Sequence, residues 1–208
     1  MKRAGTIESR LTASILDGLH IWTENEATIE EQESSGRALL RLKLPPGRRV
    51  IQWKLSSGQF RFLKADKMAD GLLLIEGHDG CWSIHIFELK TSEKFANLRK
   101  ASEQMSWTLK KALALAGSLN LELSTTHLYI AFQDTSEKMQ QEAAGLIRPP
   151  MRPEEASQSA PYHSPALMDQ LKRQGRVLWQ LENFEGKVYL TRIQLNAQGE
   201  GEFAVAAP

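Results

Sequence analysis

The spacing of apolar positions changes several times along the chain, and each change marks an element. Ile7, Leu11, Ile15, Leu16 and Leu19 recur at helical spacing, with Thr6 able to cap, and predict a helix over 6–22. Residues 24–36 are acidic and polar and predict a loop. From Ala38 the period shortens to two. Leu39, Leu40, Leu42 and Leu44 make a half-buried strand stopped by Pro45-Pro46-Gly47. Residues 50–55 and 59–63 read as two more strands, with Ser56-Ser57-Gly58 as a hairpin turn. Asp70-Gly71 opens the apolar run Leu72-Leu73-Leu74-Ile75, and His78-Asp79-Gly80 turns the chain. The stretch 82–90 is then apolar on both faces for most of its length, as in a strand covered on both sides. Phe95, Leu98, Ala101, Met105, Leu109, Ala112 and Ala116 form one stripe of a long helix over 94–119, which Gly117 or Asn120 can end. A buried strand over 127–132 follows.

Beyond it, 134–165 is rich in Gln, Glu, Ser and Pro and reads as a long loop or tethered arm. A short helix over 165–174 and a terminal hairpin, 176–181 with 187–195, come next, and the last residues are expected to fray. The order predicts an α/β (α+β) sandwich around one mixed sheet. The expected organisation is a core over 1–133, the arm over 134–165, and 166–208 as a helix and hairpin accessory to the same domain.

The 208 residues carry a formal net charge of +1, so a nucleic-acid surface must be a local patch rather than a global field. The single cysteine, Cys81, excludes an internal disulfide framework and a Cys-based zinc site, and fits a reducing compartment. No apolar region follows Met1-Lys2-Arg3, and no run approaches the roughly 20 apolar residues of a membrane span. These features predict a cytoplasmic protein with no membrane partner.

The chemistry gathers around one hairpin. Asp70 stands at the mouth of one strand, and Glu88 and Lys90 stand near the end of the next. Residues i and i+2 of a strand share a face, so Glu88 and Lys90 point the same way as the apolar Trp82, Ile84 and Ile86. A carboxylate and an ammonium at the end of an apolar row need each other, a metal or water. Two carboxylates suit a hard cation such as Mg²⁺, which keeps further positions for water and a phosphate oxygen. The cation stabilises transition-state charge and acidifies bound water, and a neighbouring lysine can orient or deprotonate that water.

Asp70 before an apolar strand, a turn, and then Ile86-Phe87-Glu88-Leu89-Lys90 resembles the D…ExK motif of the PD-(D/E)XK nuclease superfamily. Ala101-Ser102-Glu103-Gln104-Met105 is similar to the glutamine-bearing helix motif of many members, and the element order over 6–132 matches the superfamily's α-β-β-β-α-β core. Ala69 stands where proline is common, and Trp107 where the RecB-like members have tyrosine. The resemblance implies a restriction-endonuclease-like fold and a Mg²⁺-dependent nuclease, with Mn²⁺ as substitute. It implies a DNA endonuclease of defence, restriction or repair. Asp70 and Glu88 would be metal ligands, Lys90 catalytic and Gln104 supporting, with Glu8, or else Asp17, as a further ligand from the first helix. The alternatives are a nuclease-fold binding or assembly subunit without catalysis, and a dimeric junction-resolving nuclease. A homodimer or a targeting partner protein belongs with these readings.

Other residues have a chemical and a bland reading. Asp66 competes with Asp70 but lies in a polar turn between Lys64 and Lys67, and Glu76 reads as a turn residue. Lys94, Arg99, Lys100, Lys110 and Lys111 on the long helix, and Arg48, Arg49 and Lys54 near the first hairpin, are candidate phosphate contacts or simply solvated cations. Trp53, Trp82 and Trp107 can stack bases or fill the core. His85, on the face opposite Glu88, reads as a packed core histidine.

Overall fold

The computed structural model describes residues 7, 9, 11, 20–31, 38–53, 67–91, 95–133, 165–181, 184–185 and 187–206, and the fold is given for these. The elements are β1 (His20–Thr23), β2 (Glu26–Glu30), β3 (Leu39–Lys43), β4 (Val50–Trp53), β5 (Gly71–Glu76), β6 (Trp82–Lys90), α1 (Phe95–Ser118), β7 (Leu123–Gln133), α2 (Pro165–Gln174), β8 (Arg176–Gln180), β9 (Lys187–Leu195) and β10 (Glu200–Ala204). Ile7, Ser9 and Leu11 are helical. The chain is mixed α/β and carries two sheets. One has seven strands in the order β1-β4-β5-β6-β7-β9-β8, and the other has three in the order β10-β3-β2.

The central strands are apolar on both faces because both faces are covered. Trp82, Ile84 and Ile86 of β6 pack with Leu98, Ala101, Met105 and Leu109 of α1, together with Ile7 and Leu11. The alternate residues Phe87 and Leu89 pack with Ile29, Leu40 and Leu42 of the small sheet. The period of two along each strand thus divides its residues between two cores. Just beyond α1, the left-handed backbone of Asn120 (φ 52°) lets Leu121 N donate to Ala116 O at 2.9 Å.

The antiparallel run β4-β5-β6 is followed by the parallel pairs β6-β7 and β7-β9 and the antiparallel pair β9-β8. On the α1 face the register aligns Trp53, Leu72, Ile86, Leu128, Leu190 and Val177 in one apolar row. One residue pair further, the row turns polar, and there the candidate site begins.

Several sequence expectations are corrected. The first helix does not reach residue 22, since His20–Thr23 is a strand paired with β4. The expected loop at 24–36 contains β2, with Ala27 and Ile29 inward and Glu26, Thr28 and Glu30 exposed. Two inward residues are too few to stand out from an acidic stretch. The end of the chain is not frayed over 200–204, because β10 pairs in parallel with β3. The hairpin β8-β9 forms as expected, and β9 lies beside β7 inside the main sheet. The strand expected at 59–63, its turn and the arm through residue 164 lie outside the described residues.

Candidate functional site

Asp70 is set by what lies on either side of it. The segment before β5 is latched to α1 by a stripe of polar side chains at i, i+4 and i+7. Gln104 Nε2 donates to Met68 O at 2.9 Å, Thr108 Oγ1 accepts from Ala69 N at 2.8 Å, and Lys111 Nζ lies 3.5 Å from Lys67 O. On the strand side, Leu89 N donates to Asp70 Oδ2 at 2.8 Å. Gly71 pairs with Phe87, so the register carried back one residue sets Asp70 beside Glu88. Both face α1, as Leu72 and Ile86 do.

Glu88 has no solvent exposure and Lys90 is 5% exposed. Lys90 Nζ lies 2.5 Å from Glu88 Oε1 and donates to Gln104 Oε1 at 3.1 Å. Both carboxylate oxygens of Glu88 are buried, and the Lys90 ammonium is the cation paired with them. Burial pushes the Glu88 carboxyl up to about 8, and the neighbouring Asp70 carboxylate adds to the rise, while the Lys90 ammonium opposes it. A carboxylate this buried, beside a second carboxylate and facing one ammonium, is the environment that a further cation relieves. Among the described residues Asp70 and Glu88 are the carboxylates that the register sets side by side here. A pair of carboxylates is a donor set that hard cations such as Mg²⁺ take, with water or phosphate oxygens in the other positions.

The row continues past the carboxylates. Glu88 pairs with Ile130, and Ile130 with Arg192. The Arg192 guanidinium donates to Gln194 Oε1, and its backbone N donates to Gly175 O at 2.7 Å. At about 4.8 Å per strand, Arg192 starts roughly 10 Å from Glu88 on the same face. Sequence reading missed Arg192, Thr108 and the structural part of Lys111. Parallel pairing of β9 with β7 leaves no local sequence mark.

The sequence candidates therefore separate. Asp70, Glu88, Lys90 and Gln104 are brought together. Arg99 and Lys100 lie exposed early in α1, and Lys100 is one turn before Gln104. Lys111 is not a solvated cation but 2% exposed. Arg48 is half-buried, and the exposed Arg49 donates through Nε to Glu76 Oε2 at 2.6 Å and sits over the Trp82 ring. Glu76 ends the six-residue β5, roughly 20 Å along the strand from Asp70, so the structure does not bring this arginine pair to the carboxylates. Glu8, Asp17, Lys54, Asp66 and Lys94 lie outside the described residues. Trp53 and Trp82 are buried in the core.

His85 is the packed histidine expected from its strand face. It is 1% exposed, with Nε2 2.8 Å from Ser83 Oγ and Nδ1 3.1 Å from Tyr129 OH. Burial lowers it to about 3, and His127, stacked on it, contributes in the same direction. Among the described residues no helix is long and apolar enough to cross a membrane. Comparison with models of protein families, with curated proteins and with solved structures finds no match for this chain.

Proposed function

We propose that the chain is a metal-dependent nuclease of the PD-(D/E)XK type that hydrolyses phosphodiester bonds, with DNA as its substrate and Mg²⁺ as its cofactor. The observation that carries this reading is the fully buried Glu88 carboxylate set beside the Asp70 carboxylate and within ion-pair distance of the buried Lys90. The antiparallel β4-β5-β6 run, the α1 crossover and the parallel β7 agree with a restriction-endonuclease-like core.

Asp70 and Glu88 are the residues that would hold the ion. When bound, Mg²⁺ supplies charge stabilisation for the phosphoryl group and a more acidic water. The chain's own side chains do the rest. The Lys90 ammonium, which donates to Gln104 Oε1 and pairs with Glu88, can orient a water or a phosphate oxygen beside the carboxylates. Gln104 is a positioning residue, since its amide spans Lys90 and Met68 O and so joins the site to the helix. The row of apolar residues below the carboxylates excludes water from behind. A single free cysteine agrees with a cytoplasmic setting.

The test is cleavage of plasmid, linear duplex, single-stranded DNA and RNA with Mg²⁺ or Mn²⁺, by wild type and by Lys90→Ala. Metal-dependent cutting lost in the variant supports the assignment and selects the substrate class. Cutting that survives in the variant overturns it. If neither protein cuts, calorimetric titration with Mg²⁺ decides. Binding that vanishes in Glu88→Gln supports the metal site in a chain that binds without cleaving, and the absence of binding overturns the site.

A further inference from the structure

The opposite face of the seven-stranded sheet carries a second surface. The small sheet covers Phe87, Leu89, Tyr129, Ala131, Ile193 and Leu195. Phe203 closes on the Tyr129 ring edge-on, with centroids 5.3 Å apart. The next row of the sheet leaves that cover as it crosses from β6 to β8. Along it the register places His85, His127, Tyr189 and Leu178 side by side across β6, β7, β9 and β8. Exposure rises across the row, from His85 at 1% to Tyr189 at 49% and Leu178 at 47%. These last two are cross-strand partners and the most exposed large hydrophobic side chains among the described residues.

Cations frame the rings. The Arg176 guanidinium lies 3.9 Å from the Tyr189 ring centroid. Lys187, two residues before Tyr189, shares its face and is exposed. His127 stacks on His85 at 4.7 Å. On this face β7, β8 and β9 present Thr125, His127, Lys187, Tyr189, Thr191, Arg176, Leu178 and Gln180, and no carboxylate.

We propose that this face binds single-stranded nucleic acid, with Tyr189 and the Arg176 guanidinium stacked on it as the base platform and Lys187 as a phosphate contact. Charge complementarity selects this occupant. A ring face with a planar cation and no acid suits a polyanion whose bases are free to stack. A second copy of the chain docked through the same patch would set Arg176 and Lys187 against themselves, because a two-fold contact is self-complementary. A duplex hides its base faces within its own stack, so a flat sheet gains no ring contact from it. The Asp70–Glu88 site lies on the other face of the sheet, and the proposal stands without it.

The experiment is fluorescence anisotropy with a labelled short oligothymidylate, and with a duplex of the same length, in EDTA. Without metal no cleavage contributes to the signal. Single strand is expected to bind more tightly than duplex. Tyr189→Ala is expected to weaken single-strand binding about 10-fold or more, and Tyr189→Phe to retain it. Arg176→Gln is expected to lower the salt slope of log Kd by about 1. Tyr189 is half-exposed, and an unchanged melting temperature confirms that Tyr189→Ala folds. Binding unaffected by Tyr189→Ala overturns the proposal. So does preference for the duplex, and so does a wild-type dimer in light scattering that Tyr189→Ala converts to monomer.

Discussion

In metal-free protein the buried Glu88 carboxyl makes stability depend on pH, and Glu88→Gln isolates its share. The group moves from its ordinary 4.5 up to about 8 on folding. Between these values the folded chain holds a proton that the unfolded chain has lost, so stability falls as pH rises, by about 1.4 kcal/mol per unit. His85 works in the other direction. Its folded value is about 3 against an ordinary 6.5, so between those values the unfolded chain binds the extra proton and stability rises with pH. From 4.5 to 6.5 the two slopes oppose, and His127, also lowered by burial, adds to the side of His85. From 6.5 to 8 Glu88 acts alone, and the window of one and a half units amounts to about 2 kcal/mol. The assay is urea unfolding in EDTA at a series of pH values. Wild type should lose about 2 kcal/mol between pH 6.5 and 8, while Glu88→Gln should be flat there and lose stability only on the acid side. The slope is a better readout than the absolute difference, because the substitution also changes what Lys90 faces and that offset is the same at every pH in the window. Excess Mg²⁺ should flatten the wild-type curve by holding the carboxylate ionised, and should leave the variant unmoved. Parallel curves for the two proteins in EDTA would refute the reasoning.

Three further substitutions probe the scaffold of the site. Thr108→Val keeps the shape of the side chain and leaves the buried Ala69 N without its acceptor, so urea unfolding should show a loss of about 1–3 kcal/mol, and an unchanged midpoint would contradict the latch. Gln104→Ala removes both the acceptor for Lys90 and the donor to Met68 O. Given nuclease activity, cleavage should drop about 10- to 100-fold, with Mg²⁺ affinity moving far less than in Glu88→Gln, and equal losses in both would argue against a positioning role. At Gly71 an added Cβ would press on Ile29 Cδ1 and lie 2.9 Å from its Cγ2, so Gly71→Ala should cost about 1–3 kcal/mol, and adding Ile29→Val should recover part of it. Strict additivity of the two would count against direct contact.

What could be read from the sequence follows from how far apart the interacting residues are. The strand period alone places Glu88 and Lys90 on one face with Trp82, Ile84 and Ile86, and the short hairpin that joins β5 to β6 brings Asp70 beside them. The long stripe of α1 is local in the same sense, and Gln104 falls on its edge where the site needs it. The second sheet had no such local mark. β2 shows two inward apolar residues among glutamates, and β10 reads Glu-Gly-Glu-Phe-Ala with no residue fully inward. Each becomes a strand because β3 lies between them, and β3 meets β10 from the far end of the chain. The consequence reaches the site, since Ile29 of β2 presses on Gly71 next to Asp70. Lys111 makes the same point from the helix. Its spacing marks it as a cation on the margin of an amphipathic helix, where lysines are ordinarily solvated. It is buried because the backbone before β5 crosses over it, and the carbonyl of Lys67 lies 3.5 Å from its ammonium. Periodicity decides which face a side chain takes. Only the pairing of distant segments decides whether that face meets water, a carbonyl or a second sheet, and for Lys111 that difference separates a surface charge from a part of the latch that sets Asp70.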